Sequence, residues 1–182
     1  MPTASRYPEQ YTCLKHLHDD EKVEFRVIRP DDESLMVKFH HMLSPLSVRR
    51  RYFDSLSLEA RIDHDRLTRI CDPNLENEIA IVADHFDKET DGHDIVAVGR
   101  LEDTTDGTSA EFAIVIADAW QRKGLGKILM RQLIILAQKK GLASIHAELM
   151  PENKSMRMLL RSLQFKITDD YEDHTTYASL II

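Results

Sequence analysis

The sequence is short of cysteine and has no long apolar run. Its only cysteines are Cys13 and Cys71 among 182 residues. They form no C-x-x-C pair, and a compartment that keeps thiols reduced fits this usage best, with a disulfide between the two left open as an alternative. No apolar run approaches the roughly 20 residues that a membrane-crossing helix needs. We therefore expect no membrane partner.

The start of the chain also lacks the features of a secretory signal. Residues 1–20 are polar and have no apolar central region. The expected location is therefore the cytoplasm. We predict that residues 1–20 form an irregular or flexible extension. Residues 21–182 are predicted to form one domain, since a chain of this length can bury a substantial core.

Basic residues are outnumbered by acidic ones. The chain has 24 Lys and Arg against 31 Asp and Glu, which gives a formal net charge of -7. This balance argues against nucleic acid as a partner, because backbone binding requires many cations to neutralise phosphates. An acidic protein instead attracts cationic partners, such as a lysine-rich segment. The one dense basic patch, Arg49-Arg50-Arg51, is interpreted as a solvated helix face, with an anion site as the alternative.

Hydrophobic spacing predicts a domain that mixes strands and helices. Period-two alternation and short apolar runs predict strands, whereas apolar residues three and four apart predict helices. The predicted strands are Val23–Ile28, Glu78–Asp84, Ile95–Leu101, Ala110–Ile116, Ser144–Leu149, Phe165–Thr168 and Thr175–Ile182. The predicted helices run from Pro30 to Leu43, from Leu46 to Ile70 with a break at 55–57, from Leu125 to Lys140 and from Met156 to Leu163. Asp84 to Asp94 is predicted to be a polar loop, and Asp106-Gly107 a hairpin turn.

One glycine-containing segment carries most of the functional information. Gln121-Arg122-Lys123-Gly124-Leu125-Gly126-Lys127 follows a strand and opens a helix. A P-loop does not fit, because its required glycine and hydroxyl positions hold Gln121 and Ile128. A dinucleotide fingerprint does not fit, because its third small residue is Leu129. A turn of the form Q/R-x-x-G-x-G is what remains.

Such a turn has the properties of a pyrophosphate site. The first turn of a helix exposes unpaired N–H groups at the positive end of the helix dipole. Gly124 and Gly126 have no Cβ, so a pyrophosphate can approach the backbone closely. Arg122, Lys123 and Lys127 add positive charge. A glycine-punctuated helix start without a ligand is the alternative.

The turn resembles motif A of the GNAT acetyltransferase superfamily, which grips the pyrophosphate of acetyl-CoA. Arg29-Pro30-Asp31-Asp32 resembles the family's first strand-to-helix junction, and Pro151 through Phe165 resembles its second conserved stretch. Ala110-Glu111-Phe112-Ala113, with Trp120-Gln121 and Glu148 to Asn153, is similar to the catalytic domain of bacterial Pat-type protein lysine acetyltransferases. The resemblance runs from about Val23 to the C-terminus. It implies an α/β (α+β) fold with a mixed, mostly antiparallel central sheet of about seven strands flanked by helices.

The resemblance also implies roles for individual residues. Ile114, Val115 and Ile116 would hold the pantetheine arm through backbone groups, because the family splays two strands there. The pyrophosphate would lie on Gln121, Arg122, Lys123, Gly124, Leu125, Gly126 and Lys127. Asn153 would contact the pantetheine and Arg157 the nucleotide end. Two positions depart from the family: Leu160 stands where many relatives have a tyrosine that protonates the leaving thiolate, and Gln164 replaces a glycine, which suggests a different bend there.

The implied activity is an acyltransferase that moves the acetyl group of acetyl-CoA to an amine by direct attack in a ternary complex. The resemblance makes Glu111 the general base, with Glu102 and Glu148 as fallback candidates, and a protein lysine the leading acceptor. A small-molecule amine acceptor is one alternative, and a catalytically silent CoA-sensing module is another. A homodimer is left open.

No metal is expected in this chemistry. None of the nine histidines shows a recognised metal-ligand spacing, and the adjacent His40 and His41 would point apart on a helix. Cys71 is interpreted as a small core thiol in preference to a nucleophile.

Overall fold

A computed structural model of the chain describes residues 12–17 and 21–182. Eight strands form one sheet in the order β1-β2-β3-β4-β5-β6-β8-β7. Their bounds are β1 Cys13–His16, β2 Lys22–Val27, β3 Glu78–Asp87, β4 Gly92–Asp103, β5 Ser109–Ile116, β6 Ser144–Leu149, β7 Lys166–Asp170 and β8 Thr175–Ile181. All neighbouring strands are antiparallel except β5 and β6, which are parallel. The predicted mixed, mostly antiparallel sheet flanked by helices is confirmed.

In the part of the chain that the structure describes, six α-helices cover the two faces of the sheet. Their bounds are α1 Glu33–His41, α2 Pro45–Tyr52, α3 Leu58–Arg61, α4 His64–Cys71, α5 Leu125–Lys140 and α6 Lys154–Ser162. Helices α1 to α4 pack on one face, in a core that contains Phe39, Leu67 and Val82. Helices α5 and α6 pack on the other face, in a core that contains Phe25, Leu133 and Leu160. Within the described part of the chain, no helix is long and apolar enough to cross a membrane.

The strand β1 was not predicted. Cys13 pairs with Phe25 and His16 with Lys22 in an antiparallel ladder with β2. This stretch is therefore an edge strand and not part of an irregular extension. Residues 1–11 and 18–20, the remainder of the predicted extension, lie outside the described residues. Cys13 and Cys71 are both free thiols, so no disulfide joins them.

Two further predicted boundaries were wrong. The polar segment from Asp84 to Asp94 is mostly strand, because β3 and β4 continue into a tight hairpin with Asp87 opposite Gly92. The second helical region has the break predicted at 55–57 and one further break, after Arg61, that was not predicted, so it forms three helices. Each begins at a capping side chain, at Ser44, Ser57 and Asp63, that accepts a hydrogen bond from a backbone N–H of the first turn. N-caps of this kind set helix starts independently of apolar spacing.

Gln164, which replaces a glycine of the family pattern, lies in the bend between α6 and β7. Gln164 has a φ of 66°, the left-handed conformation in which glycine carries no steric cost. A side chain in this conformation costs about 1–2 kcal/mol. The glutamine therefore keeps the bend and bears strain.

We expect Gln164→Gly to raise the free energy of unfolding by about 0.5–1 kcal/mol, because relief of strain exceeds the added chain entropy. Urea denaturation monitored by circular dichroism measures the change. The matched control is Gln138→Gly on the exposed side of α5, which should lower the free energy of unfolding by about 0.5–1 kcal/mol. A loss of stability in Gln164→Gly would contradict the strain.

Candidate active site

The sheet opens between its two parallel strands. The two strands pair only at their beginnings, where Ser109–Glu111 of β5 lie beside Ser144–His146 of β6. Beyond this point β5 stays on β4 as far as Ile116, and β6 stays on β8 as far as Leu149. A gap therefore separates the carboxyl ends of β5 and β6, as the splayed strands of the resemblance implied.

The backbone of β5 faces this gap at two positions. In an antiparallel ladder, alternate residues turn their N–H and C=O groups toward the partner strand. The N–H of Ala117 donates to the carbonyl of Val96 at 2.9 Å. The β4–β5 register then directs the backbone groups of Ala113 and Val115 toward β4, and those of Ile114 and Ile116 away from it. The Ile116 carbonyl accepts a hydrogen bond from Gln121 Nε2 at 3.1 Å.

The first turn of α5 lies at the same opening. Gly124 is its N-cap, with a φ of 85°, and provides no capping side chain. The N–H groups that follow it therefore begin the helix without a side-chain partner from the cap. Gly126 is needed for packing as well as for ligand approach, because a Cβ there would lie 3.1 Å from Ile116 Cδ1 and 3.3 Å from Leu159 Cδ2.

These elements enclose a cavity of about 290 Å³. The predicted site residues that line it are Ile114, Val115, Ile116, Gln121, Arg122, Gly124, Gly126, Lys127 and Asn153. The lining residues that were not predicted are Ser47, Arg50, Arg51, Ser155, Met156 and Leu159. The lining carries four cationic side chains and no carboxylate. Such a cavity suits an extended, polyanionic ligand.

Three predicted ligand residues lie outside the cavity lining. Lys123 Nζ lies 4.9 Å from the centroid of the Trp120 ring, in a cation–π contact. The side chain of Leu125 is buried in the core, so only its backbone N–H could serve a ligand. Arg157 makes a bidentate ion pair with Asp169 and donates to Thr176 Oγ1 at 2.8 Å. Arg157 therefore links α6 to β7 and β8, and its contact with the nucleotide stays a prediction.

Asn153 combines a structural and a cavity-lining position. Its side chain is buried, and Oδ1 accepts from the Met156 N–H at 3.3 Å as the N-cap of α6. Ser155 Oγ lies 3.1 Å from the same oxygen. Because Oδ1 is occupied, the amide NH₂ group of Asn153 is the part that could donate to a ligand.

Helix α2 is held against the segment after β5 by a hydrogen-bonded cluster. Asp118 accepts from the Ser44 N–H at 2.8 Å, from Ser44 Oγ at 2.7 Å and from Ser47 Oγ at 3.0 Å. Burial opposes the ionisation of Asp118, but these hydrogen bonds outweigh it and lower its pKa. Gln121 Nε2 also donates to Ser47 Oγ at 3.0 Å. The cluster fixes the α2 face that carries Arg50 and Arg51.

The basic patch on α2 is therefore divided. Arg49 is exposed and lies 3.7 Å from Glu152, as predicted for a solvated face. Arg50 and Arg51 line the cavity, which corrects that interpretation for these two residues. The spacing of Ser47, Arg50 and Arg51, three and four residues apart, places all three on one helix face. That spacing was the available signal in the sequence.

Glu111 lies outside the cavity lining, on the face of the sheet where α1 to α4 pack. Its neighbour Phe112 points into the α5 core, so Glu111 points to the opposite face, where it is exposed. Glu102 and His146 are its partners across β4 and β6. Among the residues that the structure describes, none donates a hydrogen bond to its carboxylate. Glu102 is instead paired with Arg100, so it is the less available base, and Glu148 lies opposite Tyr177 on the exposed part of β6.

Other reactive groups are unsuited to catalysis or metal binding. Cys71 is buried, and burial raises the pKa of its thiol to about 12, so the thiolate is rare at neutral pH. His40 is buried without a partner for either ring nitrogen, and burial lowers its pKa to about 3. In residues 12–17 and 21–182, no three His, Cys, Asp or Glu side chains are grouped to hold a metal ion.

Comparison with known proteins gives consistent matches. The family model described as Acetyltransferase (GNAT) family matches residues 49–165. An acetyltransferase from Pseudomonas aeruginosa is 29% identical over 163 residues, which cover 89% of this chain and 84% of that protein. The GNAT domain of S. lividans PAT has a TM-score of 0.84 at 20% identity, covering 97% of this chain and 100% of that chain. Mycobacterium smegmatis RimJ, in complex with CoA-disulfide, has a TM-score of 0.73 at 15% identity, covering 93% and 86%.

Proposed function

The chain belongs to the GNAT acetyltransferase family and is an acyltransferase that uses acetyl-CoA; on this premise we propose that it acetylates lysine side chains of proteins, with Glu111 as the general base. The observation that carries the proposal is the position of Glu111. Its carboxylate is exposed, accepts no hydrogen bond from another described residue, and lies on the strand that borders the cavity. It is therefore accessible to an amine that approaches from solvent.

The cavity suits the pyrophosphate and the pantetheine arm of acetyl-CoA. At one end, the first turn of α5 with Arg122 and Lys127 suits the pyrophosphate. The backbone groups of Ile114 and Ile116 that point into the gap suit the amides of the pantetheine arm, much as an added strand would pair there. The thioester would then lie along β5 toward Ala113 and Glu111.

The transfer needs one proton acceptor and one leaving group. A lysine amine has a reference pKa of about 10.4 and must lose a proton to become a nucleophile. Glu111 takes that proton, directly or through a water. The amine nitrogen attacks the thioester carbonyl, the new C–N bond forms, and the C–S bond breaks. Strand N–H groups beside the thioester stabilise the oxyanion of the tetrahedral intermediate.

The absence of a tyrosine at position 160 is compatible with this route. Leu160 is fully buried in the α5 core, so no acid acts from that place. A thiol with a pKa of about 8.5 can leave as a thiolate, and solvent then protonates it.

The surroundings of Glu111 favour a protein acceptor over a small amine. The cavity lining contains no carboxylate that would hold the cationic end of a small molecule. Glu102, Glu111 and Glu148 are exposed on the sheet face instead, where an extended segment with lysine residues can reach them. The short similarity to Pat-type enzymes around Ala110–Ala113 points the same way.

A thiol-release assay with acetyl-CoA tests the function. Acceptors are lysine-rich proteins and a panel of small amines. Faster release with proteins supports the proposal, and release with small amines alone supports the small-molecule alternative. Acetyl-CoA binding without release over any acceptor supports a silent CoA-sensing module.

The cations at the α5 end should act on the phosphates alone. We expect Arg122→Ala and Lys127→Ala each to weaken CoA binding about tenfold, because each removes a charge-assisted contact. Isothermal titration calorimetry measures the affinities. Lys123→Ala is the matched control and should change the affinity little, since Lys123 lies over Trp120 outside the cavity.

Acetyl-pantetheine, which lacks the phosphates, separates this role from a general loss of structure. Its KM in the thiol-release assay should be the same for wild type, Arg122→Ala and Lys127→Ala. An equal loss with acetyl-pantetheine would contradict a phosphate contact.

A further inference from the structure

Two of the four cations that line the cavity are not part of the pyrophosphate and pantetheine contacts proposed above. Arg50 and Arg51 enter from α2 and line the cavity. The Nε of Arg50 is buried and has no hydrogen-bond partner in the described part of the protein. A buried N–H group without a partner is costly, even though the rest of the Arg50 side chain is partly exposed. It is therefore expected to meet an anionic or strongly polar group when the cavity is filled.

The two arginines lie toward the acyl end of the cavity. The start of α2 is fixed near Gln121 by Ser47. Helix α2 packs against β5, the strand that carries Glu111. Arg51 follows one turn after Ser47, and the charges of Arg100 and Glu111 act on it. Arg122 and Lys127, by contrast, lie beside the first turn of α5. The two pairs of cations therefore occupy different ends of the cavity.

The electrostatic surroundings of Arg51 favour an added anion. Burial lowers the pKa of Arg51, and the charges of Arg100 and Arg66 act in the same direction. Tyr52, whose ring centroid lies 5.0 Å from the Arg51 guanidinium, and the charge of Glu111 oppose this lowering only in part. An acetyl group is neutral and brings no charge to this end of the cavity. A carboxylate would pair with the guanidinium groups in the bidentate geometry that arginine prefers.

We propose that Arg50 and Arg51 bind a carboxylate at the acyl end of the cavity, so that an acyl donor with a terminal carboxylate, such as succinyl-CoA, binds more tightly than acetyl-CoA, which remains a substrate. The proposal rests on the acyl-CoA binding described above. The transfer step is unchanged: the amine attacks the thioester carbonyl, the C–N bond forms, the C–S bond breaks, and the proton goes to Glu111. The same site could instead take the carboxylate of an amino-acid acceptor.

Calorimetry with CoA, acetyl-CoA and succinyl-CoA tests the donor arm without any acceptor. Wild type should bind succinyl-CoA about tenfold more tightly than acetyl-CoA, as expected for one charge-assisted pair. Arg50→Met and Arg51→Met should each remove most of this preference, and each should lower the affinity for CoA by less than Arg122→Ala does. Arg49→Met, outside the cavity, should keep the preference. Thermal unfolding shows whether each variant is folded.

Thiol release from acetyl-CoA tests the acceptor arm. Glutamate is compared with 4-aminobutyrate and with butylamine, which lacks a carboxylate. A preference for the carboxylate-bearing amines that is lost in Arg51→Met assigns the site to the acceptor. Two outcomes overturn the proposal: no carboxylate preference in either arm, or a loss of CoA affinity in Arg50→Met and Arg51→Met as large as in Arg122→Ala. Absence of binding to all three CoA compounds would instead contradict the proposed function.

Discussion

Glu111→Gln is expected to lower kcat about 10²–10⁴-fold, the range that a general base contributes. The substitution keeps the shape and polarity of the side chain but removes its capacity to accept a proton. The affinity for CoA should not change, because Glu111 lies outside the cavity lining. Thiol release measures kcat, and calorimetry measures CoA binding.

The neighbouring carboxylate provides the matched control. Glu102 lies opposite Glu111 on β4 and is already paired with Arg100. Glu102→Gln should therefore keep kcat within about threefold of wild type, a far smaller change than loss of a general base. Equal losses of kcat in the two variants would show that turnover depends on the combined negative charge of Glu102 and Glu111 and not on one general base. Unchanged turnover in Glu111→Gln would remove Glu111 from the mechanism.

Arg26→Met is expected to lower the free energy of unfolding by about 3–5 kcal/mol, the cost of leaving buried charges uncompensated. Arg26 on β2 donates to Asp32 Oδ1 and Oδ2 at 2.7 Å each, and to Asp84 Oδ2 at 2.9 Å and 3.0 Å. All three residues are at most 6% exposed. Burial alone would lower the pKa of Arg26, but the hydrogen bonds and charges of Asp32 and Asp84 outweigh it and raise it. The variant leaves the buried carboxylates of Asp32 and Asp84 without this cationic partner.

An exposed ion pair gives the contrast for this prediction. Lys38 and Asp94 are 3.9 Å apart, with side chains 62% and 38% exposed. Lys38→Met should change the free energy of unfolding by less than about 0.5 kcal/mol, because solvent screens such pairs. Urea denaturation gives both values. A loss below about 1 kcal/mol in Arg26→Met would mean that water or side-chain movement compensates the carboxylates.

Local sequence signals were sufficient to predict both ends of the helix whose first turn lines the cavity. The helix α5 spans Leu125–Lys140 as predicted. Both of its ends are set by glycines in the left-handed conformation, Gly124 at a φ of 85° and Gly141 at 75°. Glycine adopts this conformation without steric cost, so the boundary is encoded within a few residues. The apolar stripe between them then fixed the buried face.

Tertiary contacts decided what the sequence left open. The face of α2 that meets the cavity depends on the bond between Ser47 and Gln121, which are 74 residues apart. The resemblance implied a nucleotide contact for Arg157 on α6, and the structure adds an ion pair between its guanidinium and Asp169 on β7. The strand β1 forms because the edge of β2 is available to Cys13–His16. None of these partners can be identified from local periodicity or composition.

Incubation with ¹³C-labelled acetyl-CoA and a mixture of lysine-rich proteins, followed by mass spectrometry of peptides, tests the central claim most directly. With wild type we expect labelled lysine side chains in these proteins. With Glu111→Gln we expect labelling no greater than the enzyme-free background. Equal labelling by the two proteins would contradict the role of Glu111. Label found only on added small amines would contradict a protein lysine as the acceptor.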